Sequence, residues 1–187
     1  MYKKEDLKQF VFEKSLKFGD FVLASGRKAK YYLDGKQVTL DSRGAMMIGE
    51  GILELLLANG QLPAAVGGMS IGADPITAAV ITMAGVRGYS DLKGFMVRKE
   101  SKGHGTNQFV EGPVKLGDHV VIMEDVVTTG GSSLVAIERV ESIGLIVDGV
   151  VAIIDRMEGG AKAFADRGYR FQSLLTIQDF GIDPPEI

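Results

Sequence analysis

The chain has 187 residues, 45% hydrophobic and 24% charged, a balance that suits a globular domain and excludes a disordered or collagen-like chain. Lys plus Arg total 21 against 24 Asp plus Glu, for a formal charge of −3, which argues against a general binder of nucleic acid or of membrane surfaces because these need a positive field. With no Cys, disulfides, thiolate catalysis and Cys-based metal sites are excluded, and with only His104 and His119 a multi-histidine metal centre is not expected; a reducing cytoplasmic compartment fits. The first ten residues lack the apolar core of a signal peptide. The longest apolar run, residues 145–154, is interrupted by Asp148 and is too short to span a bilayer. The expectation is one soluble, unexported domain over residues 1–187.

In chain order, Leu7, Phe10, Val11 and Leu16 at near-helical spacing predict an amphipathic helix over 5–17, ending near Gly19. Two β-prone runs, 21–23 and 31–33, flank a basic turn at 25–30 and read as a hairpin. A long helix follows from Asp41 to Gly60, with Asp41 or Ser42 placed as amino cap and Gly60 able to take the left-handed conformation at its end. Strand and helix patterns then alternate: a strand at 64–67, a helix at 75–84, strands at 94–99 and 119–123, and a helix at 132–143. A strand at 145–154, a short helix at 160–167 and a last strand at 169–177 complete the series. Continuous Val and Ile runs between helices are what a parallel sheet covered on both faces requires, so the fold class is doubly wound α/β. The one long polar stretch is 100–117, with Gly103, Gly105, Gly112 and Gly117; loops of that length in compact domains are usually functional or mobile.

The chemistry concentrates at 120–133. An apolar strand reaches the adjacent carboxylates Glu124 and Asp125, then Val126, Val127 and the turn Thr128, Thr129, Gly130, Gly131, Ser132 before helical periodicity starts at Leu134. Such a turn aims backbone N–H groups and hydroxyls at one point before a helix amino terminus, as a phosphate site does. An ordinary turn in which Thr and Ser merely cap the helix remains the alternative. Beside a phosphate site, two carboxylates need hydroxyls or a cation to bind, which fits a ribose 5-phosphate. No Gly-Lys-Ser/Thr loop and no G-x-G-x-x-G after a strand is present, which removes the P-loop and Rossmann readings. Lys99 and Lys102 could be a solvated basic loop. His104, between two glycines on a polar loop, reads as functional, and His119 as structural. Arg156, after a strand, suits a planar carboxylate or carbonyls, with a surface ion pair as the alternative.

Residues 120–133 resemble the phosphoribosyl-diphosphate (PRPP) motif of type I phosphoribosyltransferases. The run from Met96 through Arg98, Lys99, Glu100 and Lys102 to Gly105 resembles the catalytic loop of orotate phosphoribosyltransferases. The segment from Phe18-Gly19 through Ser25-Gly26-Arg27 to Tyr31-Tyr32 resembles their amino-terminal region, and 153–156 their orotate-contacting strand end. Met69-Ser70-Ile71-Gly72 resembles the diphosphate loop, although Ala24 and Ser70-Ile71 stand where many bacterial members carry a Lys and an aromatic-Lys pair. The resemblance implies a mostly parallel sheet flanked by helices, with a small hood built from residues 1–40 and the carboxyl-terminal tail. It implies transfer of ribose 5-phosphate from PRPP to N1 of orotate with Mg²⁺, in pyrimidine (UMP) biosynthesis. Lys99, Lys102, His104, Glu124 and Asp125 would be catalytic. PRPP would be bound by these residues with Arg98 and 126–132, and orotate by Thr128 and Arg156. Asp125 would touch the metal, which is held mostly through PRPP and water. A homodimer with shared sites is also implied, in which Lys102 and His104 reach the partner's site. A phosphoribosyltransferase for another base, or a non-catalytic PRPP-sensing regulator of the same fold, are the competing readings.

Overall fold

The computed structural model describes residues 2–22, 28–100 and 109–185. The chain begins with helix α1 (Lys4–Lys14), strands β1 (Leu16–Val22) and β2 (Lys28–Leu33), a single turn α2 (Lys36–Thr39) and helix α3 (Ser42–Ala58). It continues through β3 (Ala65–Met69), α4 (Ala73–Val86), β4 (Lys93–Val97), β5 (Val110–Glu111), β6 (His119–Val127) and α5 (Gly131–Ser142). It ends with β7 (Ile146–Asp155), α6 (Gly160–Ala165), β8 (Arg170–Thr176) and a 3₁₀ turn at Ile177–Phe180.

Helix α1 stops earlier than its periodicity predicts. The Ser15 hydroxyl donates to the Asp34 carbonyl at 2.6 Å and the Asp34 amide donates back to Ser15, which commits Leu16 to pair with Leu33 in the antiparallel β1–β2 ribbon. The apolar residue that looked like the last turn of a helix is therefore the first of a strand. At α3 the expected cap is present: the Asp41 carboxylate accepts from the amides of Arg43 and Gly44 at 2.9 and 3.2 Å, satisfying donors that helix geometry leaves unpaired. The helix ends at Asn59, with Gly60 at φ +104°.

The six-stranded sheet has the order β5-β4-β3-β6-β7-β8. Its neighbours are parallel except β5, which runs antiparallel to β4. Because side chains alternate along a strand, β6 and β7 feed two cores. Val121, Met123, Val151 and Ile153 pack with the α1, α3 and α4 residues Leu7, Phe10, Ile48, Ile52, Ile76 and Val80. Val120, Ile122, Val150 and Ala152 pack with Ala136, Ile137 and Val140 of α5 and Phe164 of α6. The doubly wound expectation is met, as a mostly parallel sheet with helices on both faces.

This order positions the site. From β3 the chain crosses through α4 to β4 on one side; from β6 it crosses through α5 to β7 on the other. The connections diverge between β3 and β6, opening a crevice outside their carboxyl ends, where ligands of open α/β sheets bind.

Candidate active site

Strand β6 runs four residues beyond its predicted end, so Glu124 and Asp125 lie within the ladder, with Glu124 opposite Ala152. The two carboxyl groups come together beside Gly72, where an added Cβ would lie 3.5 Å from Glu124 Oε1 as well as close to Asp125, but their further surroundings differ. Glu124 is 7% exposed, and its Oε2 accepts from the hydroxyls of Ser132 at 2.7 Å and Ser133 at 2.9 Å. Burial pushes its carboxyl up to about 7; the two hydroxyls pull it down, and the neighbouring Asp125 charge adds to the rise. Asp125 is half-buried and its Oδ1 accepts from the Val126 amide at 2.8 Å. It sits between the β3–α4 loop and the entry to α2: a Cβ added to Gly72 would lie 3.3 Å from Oδ1, and one added to Gly35 would lie 3.2 Å from Oδ2.

The turn after β6 is not a side-chain-capped helix start. The cap residue of α5 is Gly130, at φ +81° and with no side-chain cap bond, while the hydroxyls of Ser132 and Ser133 are turned back to Glu124. The first amides of α5 thus stand at the positive end of the helix dipole with no capping side chain over them, the arrangement that receives a phosphate. Thr129, Gly131 and Ser132 are exposed there and Thr128 is half-buried. The turn is held from behind. The Thr128 carbonyl accepts from the Gly160 amide and the Val127 carbonyl from the Arg156 amide, both at 2.9 Å. A Cβ on Gly160 would meet Val127 Cγ1 at 2.3 Å and the Thr128 oxygen at 2.8 Å, so only glycine fits this contact. Val126 and Val127 belong to the strand, and the Val127 side chain is buried.

Arg156 follows β7 directly. Its Nε donates to the Tyr31 hydroxyl at 3.0 Å, its Nη2 lies 2.6 Å from Glu158 Oε1, and the guanidinium sits 5.0 Å from the Tyr31 ring centroid. The Arg156 and Glu158 side chains are 16% and 9% exposed, so the pair is no surface ion pair. It ties the end of β7 to the β1–β2 ribbon. Tyr31 belongs to the amino-terminal segment that carries the resemblance, whereas nothing in the sequence marks Glu158 as the partner of Arg156.

On the other side of the crevice, the Ser70 amide donates to the Val97 carbonyl at 2.8 Å and the Ser70 hydroxyl to Asp74 at 3.0 Å; the Ser70–Ile71 peptide is cis. Arg98 pairs with Glu111 at 2.9 Å, and its Nε is buried without a hydrogen-bond partner among the described residues. A cavity of about 240 Å³ is lined by Ser70, Met96, Arg98, Lys99, Glu100 and Glu111. Lys102 and His104, like Ala24 and Ser25-Gly26-Arg27, lie outside the described residues. His119 opens β6 at the far end of the sheet, 2.7 Å from Asp148, away from this chemistry.

The carboxyl ends of β3, β4, β6 and β7 therefore bring Ser70-Ile71-Gly72, Arg98-Lys99, Glu124 through Ser132 and Arg156 to one rim. A helix amino terminus and a carboxylate pair at the switch point of such a sheet define a type I phosphoribosyltransferase architecture. No family model matches the chain. It is 58% identical over 174 residues to the orotate phosphoribosyltransferase of Rhodopirellula baltica, covering 91% of this chain and 90% of that protein. Among solved structures, the Mycobacterium tuberculosis orotate phosphoribosyltransferase in complex with Fe(III) dicitrate superposes with a TM-score of 0.84 at 35% identity, covering 96% and 99% of the two chains. The same mycobacterial enzyme in complex with PRPP gives 0.79 at 31% identity, with the same coverage. The chain belongs to the orotate phosphoribosyltransferase family.

The buried Glu124 makes stability depend on pH. Its carboxyl rises from 4.5 to about 7 on folding, so the stabilising protonated form is fully present below pH 4.5 and is lost as pH rises through about 7. Glu124→Gln keeps an oxygen for the two serines without ionising. Thermal unfolding of both proteins from pH 4.5 to 8 should show wild type losing stability relative to the variant, by on the order of 3 kcal/mol. Parallel curves would mean that Glu124 is not held in a desolvated site.

Proposed function

We propose that this protein transfers ribose 5-phosphate from PRPP to N1 of orotate, giving orotidine 5′-phosphate and diphosphate in pyrimidine (UMP) biosynthesis. The observation that carries the proposal is the α5 amino terminus without a side-chain cap, set beside Glu124 and Asp125 and within the same rim as Arg156. In this reading the amides of 128–132, with the hydroxyls of Thr128 and Thr129, hold the 5-phosphate and Asp125 accepts from the ribose hydroxyls. The base lies toward Arg156, where the guanidinium, oriented by Tyr31 and Glu158, faces its planar carboxylate or carbonyls. The C1′–oxygen bond breaks with its electron pair leaving on diphosphate, N1 of orotate supplies the electron pair of the new bond to C1′, and the N1 proton passes to solvent or the departing diphosphate. Arg98, Lys99, Lys102 and His104 are assigned to the negative charge that grows on the leaving group.

Among the described residues no cluster of three or more His, Asp or Glu could hold a metal by itself. Mg²⁺ commonly takes one or two carboxylates and completes its shell with substrate phosphates and water, and Asp125 fits such a partial role. Bound there, Mg²⁺ would neutralise charge on the diphosphate. We take residues 1–187 as one domain with the β1–β2 ribbon as its hood. The Arg156–Tyr31 contact and the Lys4–Asp179 ion pair at 2.9 Å, which joins α1 to the 3₁₀ turn, support that assignment. The absence of Cys supports a cytoplasmic setting. Among the described residues no helix is long and apolar enough to cross a membrane.

Diphosphate release from PRPP, assayed with orotate, uracil or adenine as acceptor, tests the function. Release with orotate alone is expected, slowed ~10²-fold or more by Asp125→Asn, as for loss of one electrostatic contact to the transition state. Release with another base would assign a different acceptor, and release with none would favour a PRPP-sensing regulator.

We also infer a homodimer in which Lys102 and His104 serve the partner's site. Mixing and reassorting Lys102→Ala with Asp125→Asn should then give half mixed dimers, each with one intact site, and restore roughly a quarter of wild-type activity. No restoration would mean that each loop serves its own subunit.

A further inference from the structure

Arg139 lies near the carboxyl end of α5, about two turns from the cradle at its amino end. Its Nη1 donates to the Arg98 carbonyl and approaches Met69 Sδ at 3.9 Å, while its Nη2 donates to the Lys99 carbonyl at 3.2 Å. The guanidinium also lies 4.2 Å from the Phe109 ring centroid. Phe109 is where the described chain resumes, and its carbonyl accepts from the Arg98 amide at 2.8 Å. One planar fork therefore grips the end of β4 through two successive carbonyls and stacks on the ring that pairs with that strand end. It also touches the last residue of β3. A guanidinium can do this because its donors are rigidly spaced; an ammonium of equal charge can satisfy one carbonyl well but not both in that geometry.

These contacts connect two parts of the rim that are distant in sequence. Residues 98–99 come from β4 and the phosphate cradle from the β6–α5 turn, with β3 lying between the two strands. The backbone ladder fixes β4 against β3 only as far as Val97, and Lys99 lies two residues past that point. The hydrogen bonds from Arg139 hold those two residues against α5, the same helix that begins at the cradle.

We propose that Arg139 is a positioning residue for Lys99, holding its backbone in register with the phosphate cradle through the carbonyls of Arg98 and Lys99. This rests on the assignment of Lys99 to the leaving group made above. Arg139 touches no reacting atom in this account; because the Arg98 side chain is held independently by Glu111, the effect of Arg139 reaches the reaction chiefly through where Lys99 stands. Misplacing a reacting or charge-stabilising group by about 1 Å can cost up to ~10²-fold in rate, which sets the scale for loss of the clamp.

The test is a double-mutant cycle on the full-length enzyme, with Arg139→Met and Lys99→Ala made singly and together, measuring kcat, the KM for each substrate and the melting temperature. Lys99→Ala alone should lower kcat. Arg139→Met should lower kcat about tenfold or more and leave the KM for orotate within about twofold. In the Lys99→Ala background the same substitution should cost less than about twofold further, since residues acting through one group are non-additive. Arg139→Lys, which keeps the charge and the stem, should fall between wild type and Arg139→Met, and it supplies the same cycle if the methionine variant does not fold. If Lys99→Ala runs at the wild-type rate, the assignment of Lys99 fails and this inference with it. If Lys99→Ala is impaired but loss of the Arg139 fork leaves kcat unchanged, or multiplies undiminished onto the Lys99 lesion, the clamp alone is refuted and Arg139 is a stabilising residue of α5.

Discussion

Glu124 accepting from Ser132 and Ser133 is the contact on which the rest of the site depends. Serines in the first turn of a helix ordinarily compete for the helix's own free amides, since hydroxyls there readily bond to nearby backbone. Here a buried carboxylate one strand-end away draws both hydroxyls inward, and the cap position is a left-handed glycine with nothing to offer. The amides at the start of α5 are thereby left to an outside anion. Holding Glu124 in a desolvated place raises its carboxyl toward neutrality, a cost accepted by a structure that stores preorganisation at its site.

Around that turn, each flank of the rim is fixed by a different device. The Arg156 side is fixed by a largely buried group from two parts of the chain, with Tyr31 of the ribbon and Glu158, two residues on, both engaging the guanidinium. The base side is thus joined to the ribbon before any ligand arrives. The Lys99 side has no such depth: Arg98 is tied to Glu111, and the backbone beyond β4 is held by hydrogen bonds from α5. A base side fixed by a nearly buried ion pair beside a leaving-group side held by more exposed contacts is a sensible division for a transfer reaction. The base must be read accurately, whereas the leaving-group side must admit PRPP and release diphosphate.

Much of this was visible in the sequence because it is written in local chemistry. The Thr-Thr-Gly-Gly-Ser turn after an apolar strand with two carboxylates, the Asp41 cap and the Val-Ile runs of a covered parallel sheet each depend on neighbours in the chain. What escaped depends on tertiary pairing. The extension of β6 past Glu124 is stabilised by β7, to which Val126 and Val127 pair. The early end of α1 comes from Ser15 meeting Asp34. The two residues of β5, the single turn α2 and the 3₁₀ turn at 177–180 are too short to show a period. Nothing local marks Arg156 or Arg139 as a clamp, because a charged residue is recognisable as one only when its partners, 125 and 41 residues away in sequence for the Arg156–Tyr31 and Arg139–Arg98 contacts, are brought beside it. Lys102 and His104 fall outside the described residues, and their place rests on the resemblance.

The central claim is that the α5 amino terminus is built to receive the 5-phosphate. A crystal structure of the protein with orotidine 5′-phosphate tests it most directly. The account predicts phosphate oxygens within about 3 Å of the backbone amides of residues 129–132, with the base carboxylate on Arg156. A phosphate seated instead on the Ser70–Gly72 loop, with the α5 amides contacting only solvent, would contradict it.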